Sequence, residues 1–422
     1  MKTKLVTSAV LLACSSLALA DDALPVKFSG FGTFGAARSN NNEADFRLNP
    51  EQSTGTARTN HTDTTLDTKF ALQADATLAK GLTATAQLMA RKHGDNSSRA
   101  EFEWLNLRYQ ATRDLYLRGG RVQTPMFMLS EFQNVGYSLT ALRVPQDVYS
   151  QNLLTYLDGI DIGYRHEVGD LLLNAKGLAG SRKLRLDRPN ATPPNSTNFD
   201  IDVAMATLTG EYHGHTLRAA YSKFNLGAES DNLTRINNSL DALVAASVPN
   251  ASTLQSNLPT TDVKASFFTF GYSYDKDQYL LQSEYMISRT GGNLYPNKDA
   301  WYVLGGYRLG KFTPYASYSQ VKMTEKYDLP LIDTSGMAPT NPLYLPAMIV
   351  NGTAKGAMVS EAQKTVAAGL RWDVADNVAL KLQGDYIRKP AESKGIFINQ
   401  TKDFEANSRN VSVISATVDF IF

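Results

Sequence analysis

Between Leu66 and Leu78 the chain alternates. One set of positions reads Leu66, Thr68, Phe70, Leu72, Ala74, Ala76 and Leu78, and the set between them reads Asp67, Lys69, Ala71, Gln73, Asp75 and Thr77. A period of two is the repeat of an extended strand, whose side chains leave on opposite faces in turn. One face here suits hydrocarbon and the other suits water. The split returns after Ala79-Lys80-Gly81, with Leu82, Ala84, Ala86, Leu88 and Ala90 against Thr83, Thr85, Gln87, Met89 and Arg91. It recurs where Tyr279, Leu281, Tyr285 and Ile287 oppose Gln278, Gln282, Glu284 and Ser288, and where Val378, Leu380, Leu382 and Tyr386 oppose Lys381, Gln383 and Asp385. The last segment sets Ile414, Ala416, Val418, Phe420 and Phe422 against Val413, Ser415, Thr417 and Asp419.

Short turns fall near Lys80-Gly81, Thr112–Asp114, Gly169-Asp170, His213-Gly214, Lys276-Asp277, Gly310-Lys311 and Asp376-Asn377, as tight hairpins require. Between the hairpins lie mostly longer polar connections, roughly 39–64, 94–99, 123–158, 180–198, 225–262, 290–299, 323–362 and 390–409. Seven turns and eight loops delimit sixteen strands, an even number that brings both termini to the turn side. Alternation is weakest over Leu171–Ala179 and Asp202–Tyr212, and those strands rest on spacing.

No internal stretch approaches the roughly 20 consecutive apolar residues of a membrane-spanning helix. Strands that face lipid on alternate residues dilute the apolar signal by half, so a membrane barrel reads as polar overall. A soluble sandwich or β-solenoid would also show period-two strands. Against it stand strands longer than the usual five or six residues, alternating loop lengths, and aromatics near strand ends: Tyr274, Tyr279, Trp301, Tyr302, Tyr307 and Trp372. Interfacial aromatic girdles belong to barrels in lipid. The fold expected is therefore all-β, a transmembrane antiparallel β-barrel of sixteen strands. Because an open sheet edge in hydrocarbon leaves backbone groups unpaired, the first strand, Val26–Arg38, should pair with the last.

The N-terminus agrees with this setting. Lys2 and Lys4 precede the mostly apolar run Leu5–Ala13, and Ala18-Leu19-Ala20 stands before Asp21. This reads as a secretory signal over residues 1–20 with an A-x-A cleavage site, leaving 21–422 as the barrel. A rival reading makes Leu11-Leu12-Ala13-Cys14 a lipoprotein signal, with Cys14 as the acylated N-terminus. Cys14 is the only cysteine, so ordinary cleavage removes any disulfide or thiolate site. Cleavage also takes 42 basic residues to 40 against 41 acidic ones, a mature charge near −1. Nucleic acid is not an expected partner.

Three segments carry a likeness: Phe28-Ser29-Gly30-Phe31-Gly32-Thr33-Phe34-Gly35, Leu117-Arg118-Gly119-Gly120-Arg121-Val122-Gln123-Thr124-Pro125, and the terminal Val418-Asp419-Phe420-Ile421-Phe422. With them the chain resembles the Gram-negative general porin family, trimeric sixteen-stranded diffusion channels of the outer membrane. The resemblance implies a homotrimer in outer-membrane lipid and lipopolysaccharide, reached through the periplasm. It implies that Phe420 and Phe422 form the signal read by the barrel-assembly machinery. It also implies that the third long loop folds inward and narrows a pore for small hydrophilic solutes. Pro125–Leu129 and Val135–Leu139 are too apolar for a loop in free water, which burial in a lumen would explain. Glu131 and Asp147 on that loop, against Lys69, Arg91, Arg108 and Arg121 on the inner faces of strands two to five, are the expected constriction. Carboxylates facing bases would set up a transverse field that selects small dipolar solutes. Arg118 and Arg121 cannot both face inward without a bulge.

Other motifs carry less. Gly30-Phe31-Gly32-Thr33-Phe34-Gly35 satisfies G-x-G-x-x-G, yet Ala36-Ala37-Arg38 runs into Ser39-Asn40-Asn41-Asn42 rather than opening the helix that would hold a pyrophosphate. Its glycines suit close approach of a neighbouring backbone. His213-Gly214-His215 sits at a turn without the further ligands a metal needs. A hydrolase on the barrel rim would draw on His93 with Ser97 or Ser98, but no pattern supplies a third member. No cofactor, metal or catalytic residue is expected. A substrate-specific anion or nutrient channel is the nearest alternative, and an adhesin built on the long loops the next.

Overall fold

The computed structural model describes residues 25–152, 154–188, 195–292, 295–325 and 327–422; the expected leader, the expected cleavage site and Cys14 lie outside these. The long strands are β1 (Val26–Ser39), β2 (Lys69–Ala79), β3 (Leu82–Lys92), β4 (Ser98–Gln110), β5 (Leu115–Gln123), β6 (Tyr156–Val168), β7 (Leu171–Arg188) and β8 (Asn195–Tyr212). They continue as β9 (His215–Glu229), β10 (Val263–Lys276), β11 (Tyr279–Thr290), β12 (Lys298–Tyr307), β13 (Phe312–Met323), β14 (Gln363–Ala375), β15 (Val378–Lys389) and β16 (Arg409–Ile421). Each pairs antiparallel with its neighbours in the chain, and β1 pairs with both β2 and β16, so the sheet closes on itself with sixteen strands. All seven turns stand where alternation places them, and so do the long loops apart from the fourth. Among the described residues no helix is long and apolar enough to cross a membrane.

Closure depends on small residues in β1. Phe31 sits opposite Ile421 and Gly32 opposite Phe420, and a Cβ on Gly32 would lie 2.3 Å from the Phe420 ring. A Cβ on Gly30 would meet the Phe422 ring at 2.3 Å. Phe34 stacks on Phe420 at 5.9 Å and Phe70 on Phe422 at 5.9 Å. The glycines of the nucleotide-like motif thus make room for the terminal aromatic rings as well as for a neighbouring backbone.

Outward faces show the apolar belt directly: Ile414 is 64 % exposed, Leu382 56 % and Leu208 55 %. The aromatic ends largely agree, with Tyr279 packed on Tyr307 and Phe312 stacked on Trp372. Tyr302 departs from that reading. It is fully buried on the inner face, where its hydroxyl donates to Glu284 at 3.1 Å, because a buried carboxylate needs a donor more than the membrane surface needs another ring.

The expected fourth loop is mostly strand. β7 and β8 run 18 residues each, roughly 60 Å along the strand and about 45 Å of height at barrel tilt, against a belt about 25 Å tall. Their loop-side ends therefore stand in water. There the alternation inverts, with Leu184, Leu186, Phe199 and Ile201 buried inside and Lys183, Arg185, Asp200 and Asp202 exposed outside. The fifth and seventh loops are also not plain coil. They carry helices Asp231–Ala245, Ala251–Asn257 and Tyr344–Met358, which pack on one another through Leu240, Leu243, Leu254, Ala347 and Val350.

Candidate functional site

Residues 124–155, between β5 and β6, form the third long loop. Met126, Phe127, Leu139, Leu142 and Val148 in it are buried, as its apolar composition demands. Turns within the loop satisfy part of its backbone, and polar side chains of the wall take up further groups. Arg218 of β9 donates to the carbonyls of Pro125 and Met126, and Thr269 of β10 also donates to Met126. The Met128 N–H donates to Glu284 of β11 at 2.6 Å. Arg371 of β14 reaches the carbonyls of Tyr137 and Leu139 at 2.7 and 2.8 Å, and Lys381 of β15 those of Gly136 and Ala141 at 2.6 and 3.2 Å. The loop thereby touches buried faces of strands far apart around the closed wall.

One charged residue of the loop anchors it. The Arg143 guanidinium pairs with Asp67 at 2.8 Å and Asp385 at 3.1 Å, and donates to Ser415 at 2.6 Å. Three wall groups on β15, β16 and the approach to β2 thus converge on one side chain. A lone arginine within the largely apolar stretch from Leu139 to Pro145 was the available signal for this, since a buried cation must find partners.

Lys69 and Arg91 are directly opposite on β2 and β3. Together with Thr33, Asp67, Asn134 and Arg143 they line a cavity of about 90 Å³ between the third loop and the wall. Arg91 pairs with Glu103 at 2.8 Å and Glu51 at 3.5 Å. Lys69 makes no ion pair within reach among the described residues. The other expected residues lie elsewhere. Arg108 stacks over Tyr116 at 4.2 Å near the turn end of β4. Arg121 faces away: the β4–β5 register is unbroken, setting Arg118 opposite Arg108 and Arg121 opposite outward Leu105. Without a bulge only Arg118 faces inward, where it pairs with buried Asp161. Arg121 pairs with exposed Asp158 at 2.9 Å instead.

Nor do the two loop carboxylates face Lys69 and Arg91. Glu131 pairs with Lys176 of β7 at 2.8 Å; burial raises its carboxyl, but Lys176 and the more distant Arg118 outweigh that and hold it below its ordinary value. Asp147 is fully buried and accepts from Gln363 at 2.6 Å, Ser319 at 2.7 Å and Thr365 at 3.2 Å. All three donors are neutral, so burial prevails and pushes Asp147 up to about 6. Apart from Lys69, charge near the narrow cavity is thus organised in local pairs rather than as an acid side against a basic side.

His93 bonds the Arg99 carbonyl rather than a serine. His213 lies 3.2 Å from Asp170, and among the described residues no cluster of three metal-ligating side chains forms.

Comparison with known proteins returns the same architecture. A search of curated proteins finds no match. The outer membrane channel DcaP of Acinetobacter baumannii superposes with a TM-score of 0.53 at 10 % identity, covering 96 % of this chain and 99 % of that one. An anion-selective porin from Comamonas acidovorans gives 0.53 at 11 % identity over 95 % and 100 %. Salmonella typhi OmpF, in complex with daunomycin, gives 0.52 at 13 % identity over 96 % and 99 %. These identities speak for the fold alone. The family model described as Gram-negative porin matches residues 7–391, nearly the whole chain up to the last loop, and with a closed sixteen-stranded wall and an outward apolar belt beside it, the chain belongs to the Gram-negative porin family and is an outer-membrane channel.

Proposed function

We propose that this channel is a water-filled pore for passive diffusion of small hydrophilic solutes, narrowed by an inward-folded third loop. The observation that carries the reading is the set of bonds from residues 124–155 to β9, β10, β11, β14, β15 and β16. A loop joining β5 to β6 can reach all of these at once by crossing the enclosed space. The constriction is assigned to the space between that loop and β1–β3, with Lys69 and Arg91 as the wall residues that act on permeating ions. Arg108, Glu131 and Asp147 act as structural groups away from it, and Arg121 has no part. Residues 1–20 serve as the export signal, and 21–422 as the mature barrel, which assembles as a homotrimer in lipid and lipopolysaccharide after Phe420 and Phe422 are read by the assembly machinery.

Planar-bilayer recording tests this. Replacing Lys69 and Arg91 by Gln leaves Glu51 and Glu103 less compensated and shifts the reversal potential in a salt gradient toward cations, whereas Arg121→Gln leaves it unchanged. Absence of conductance in the wild type overturns the pore, and an equal shift from Arg121→Gln overturns the assigned constriction.

A further inference from the structure

Nearer the loop ends, the inner wall turns apolar. Phe199 and Ile201 of β8, Phe224 and Leu226 of β9 and Phe267 of β10 face Ile396 of the last loop across a cavity of about 440 Å³. A space meant only for water and ions gains nothing from such a lining, because apolar surface in water is unfavourable. Its size falls in the range that receives small organic molecules. Asn49 and Asn152 line both this cavity and the narrow one beside Lys69, so the two adjoin.

The charges around it are unbalanced. Lys298 and Lys394 both pair with Glu361. Arg47 and Arg188 have no carboxylate within ion-pair distance among the described residues, and both donate to the Pro50 carbonyl, at 3.1 and 3.3 Å. Arg47 donates also to the Gln52 carbonyl at 3.4 Å and Arg188 to that of Asp187 at 2.9 Å. The Asp187 carboxylate, paired with Arg185, acts on Arg188 only from beyond ion-pair distance, so the two guanidiniums converge on neutral oxygens. Glu361, which acts on Arg47 from farther off, is already held by the two lysines. Burial, with Arg188 beside it, lowers Arg47 to about 9, still protonated at neutral pH. The repulsion therefore persists until an anion arrives.

We propose that this cavity is a binding site for an amphipathic organic anion, with a carboxylate bridging Arg47 and Arg188 and an aryl or alkyl body against Phe199, Ile201 and Phe224. Guanidinium forks match carboxylate oxygens in pairs, while the phenylalanine faces accept the apolar part. Neither half suffices alone: a small inorganic anion forgoes the apolar wall, and a neutral aromatic leaves the arginines unpaired. The proposal names the solute class of the pore reading and rests on it.

Two measurements on the detergent-refolded full chain separate the two ideas. In calorimetric titration, 4-phenylbutyrate binds the wild type, acetate and 4-phenylbutanol bind at least tenfold more weakly, and Arg47→Gln with Arg188→Gln weakens phenylbutyrate by about tenfold or more. Phe224→Ser provides a second variant on the other half of the site and weakens it several-fold. In planar bilayers, phenylbutyrate interrupts the potassium chloride current, scored against each variant's own current in salt alone. Salt conductance with equal, weak binding of all three compounds overturns the site and leaves the pore. Phenylbutyrate binding without any salt conductance overturns the pore reading. Binding unaffected by both sets of substitutions overturns the location.

Discussion

Two parts of the inner wall solve the same packing problem with opposite chemistry. From β13 through β16 the inward side chains around the third loop include the polar Ser319, Lys381, Gln383, Asp385, Ser415 and Asp419, which hold that loop by ion pairs and hydrogen bonds, while Ile387, Val411 and Val413 nearer the loop ends are apolar. From β7 through β10, toward the loops, the inward side chains are Leu184, Leu186, Phe199, Ile201, Phe224 and Val263, which pack in one apolar cluster with Met126, Phe127 and Leu154 of the third loop. The outward faces differ to match. Leu382 and Ile414 lie in the belt, whereas Lys223, Asn225 and Lys264 stand exposed on the upper outside of β9 and β10. The contrast teaches that period two identifies a strand, while its phase reports the medium, and the medium changes along a single strand as it leaves the membrane.

The largest effect is expected where the polar part is broken. Arg143→Met leaves Asp67 and Asp385 buried beside each other without their cation, which costs about 3–5 kcal/mol in urea unfolding from lipid bilayers. Adding Asp67→Asn and Asp385→Asn recovers most of the loss, because the penalty resides in the orphaned charges rather than in the missing contacts. Failure of the triple variant to recover would refute the electrostatic account of this anchor. A smaller effect separates the outward faces. Leu382→Arg places a cation in the belt and costs about 2–4 kcal/mol near mid-membrane, while Asn225→Arg, above the lipid, stays within about 0.5 kcal/mol. Equal losses at the two positions would show that both see hydrocarbon and that the inversion on β9 has been misread.

That inversion also explains what the sequence conveyed and what it hid. Ile414 to Phe422 and Val378 to Tyr386 are legible because their apolar residues face lipid over these spans, and the phase inverts only beyond them, where Ile387, Val411 and Val413 turn inward at the loop ends. Asp202–Tyr212 looks weak because Val203 and Met205 face inward while Leu208 faces out, and a reader who equates apolar with lipid sees the pattern cancel. The same assumption makes 180–198 resemble a loop. At the site, the opposition of Lys69 and Arg91 follows from register, which alternation supplies. The partners of Glu131 and Asp147 do not, because a loop carries no period, and which wall residue it meets depends on a crossing that spacing alone leaves open. For Arg118 and Arg121 the sequence poses the right question, and the absence of a bulge answers it for Arg118.

The smallest expected effect concerns the carboxyl that pins the loop between the two parts. Asp147 rises from its usual 3.8 to about 6 in the folded chain, so between those values the native state holds a proton that the unfolded state has released. Stability from this group is therefore fully present below about 4 and falls as pH rises, until it is gone above about 6. The upper bound is about 3 kcal/mol. Glu361 carries the opposite sign: burial raises it but the lysines win, so its contribution is present above its ordinary value and lost in acid. Only a difference measurement isolates Asp147. Asp147→Asn should flatten the fall in urea midpoint between pH 4 and pH 6 relative to wild type, with the loop's bonds to Ser319 and Thr365 kept in reach of the amide. If the two proteins keep parallel pH profiles across that window, Asp147 stays ionised, and the neutral-donor pocket around it must be wetter than its geometry implies.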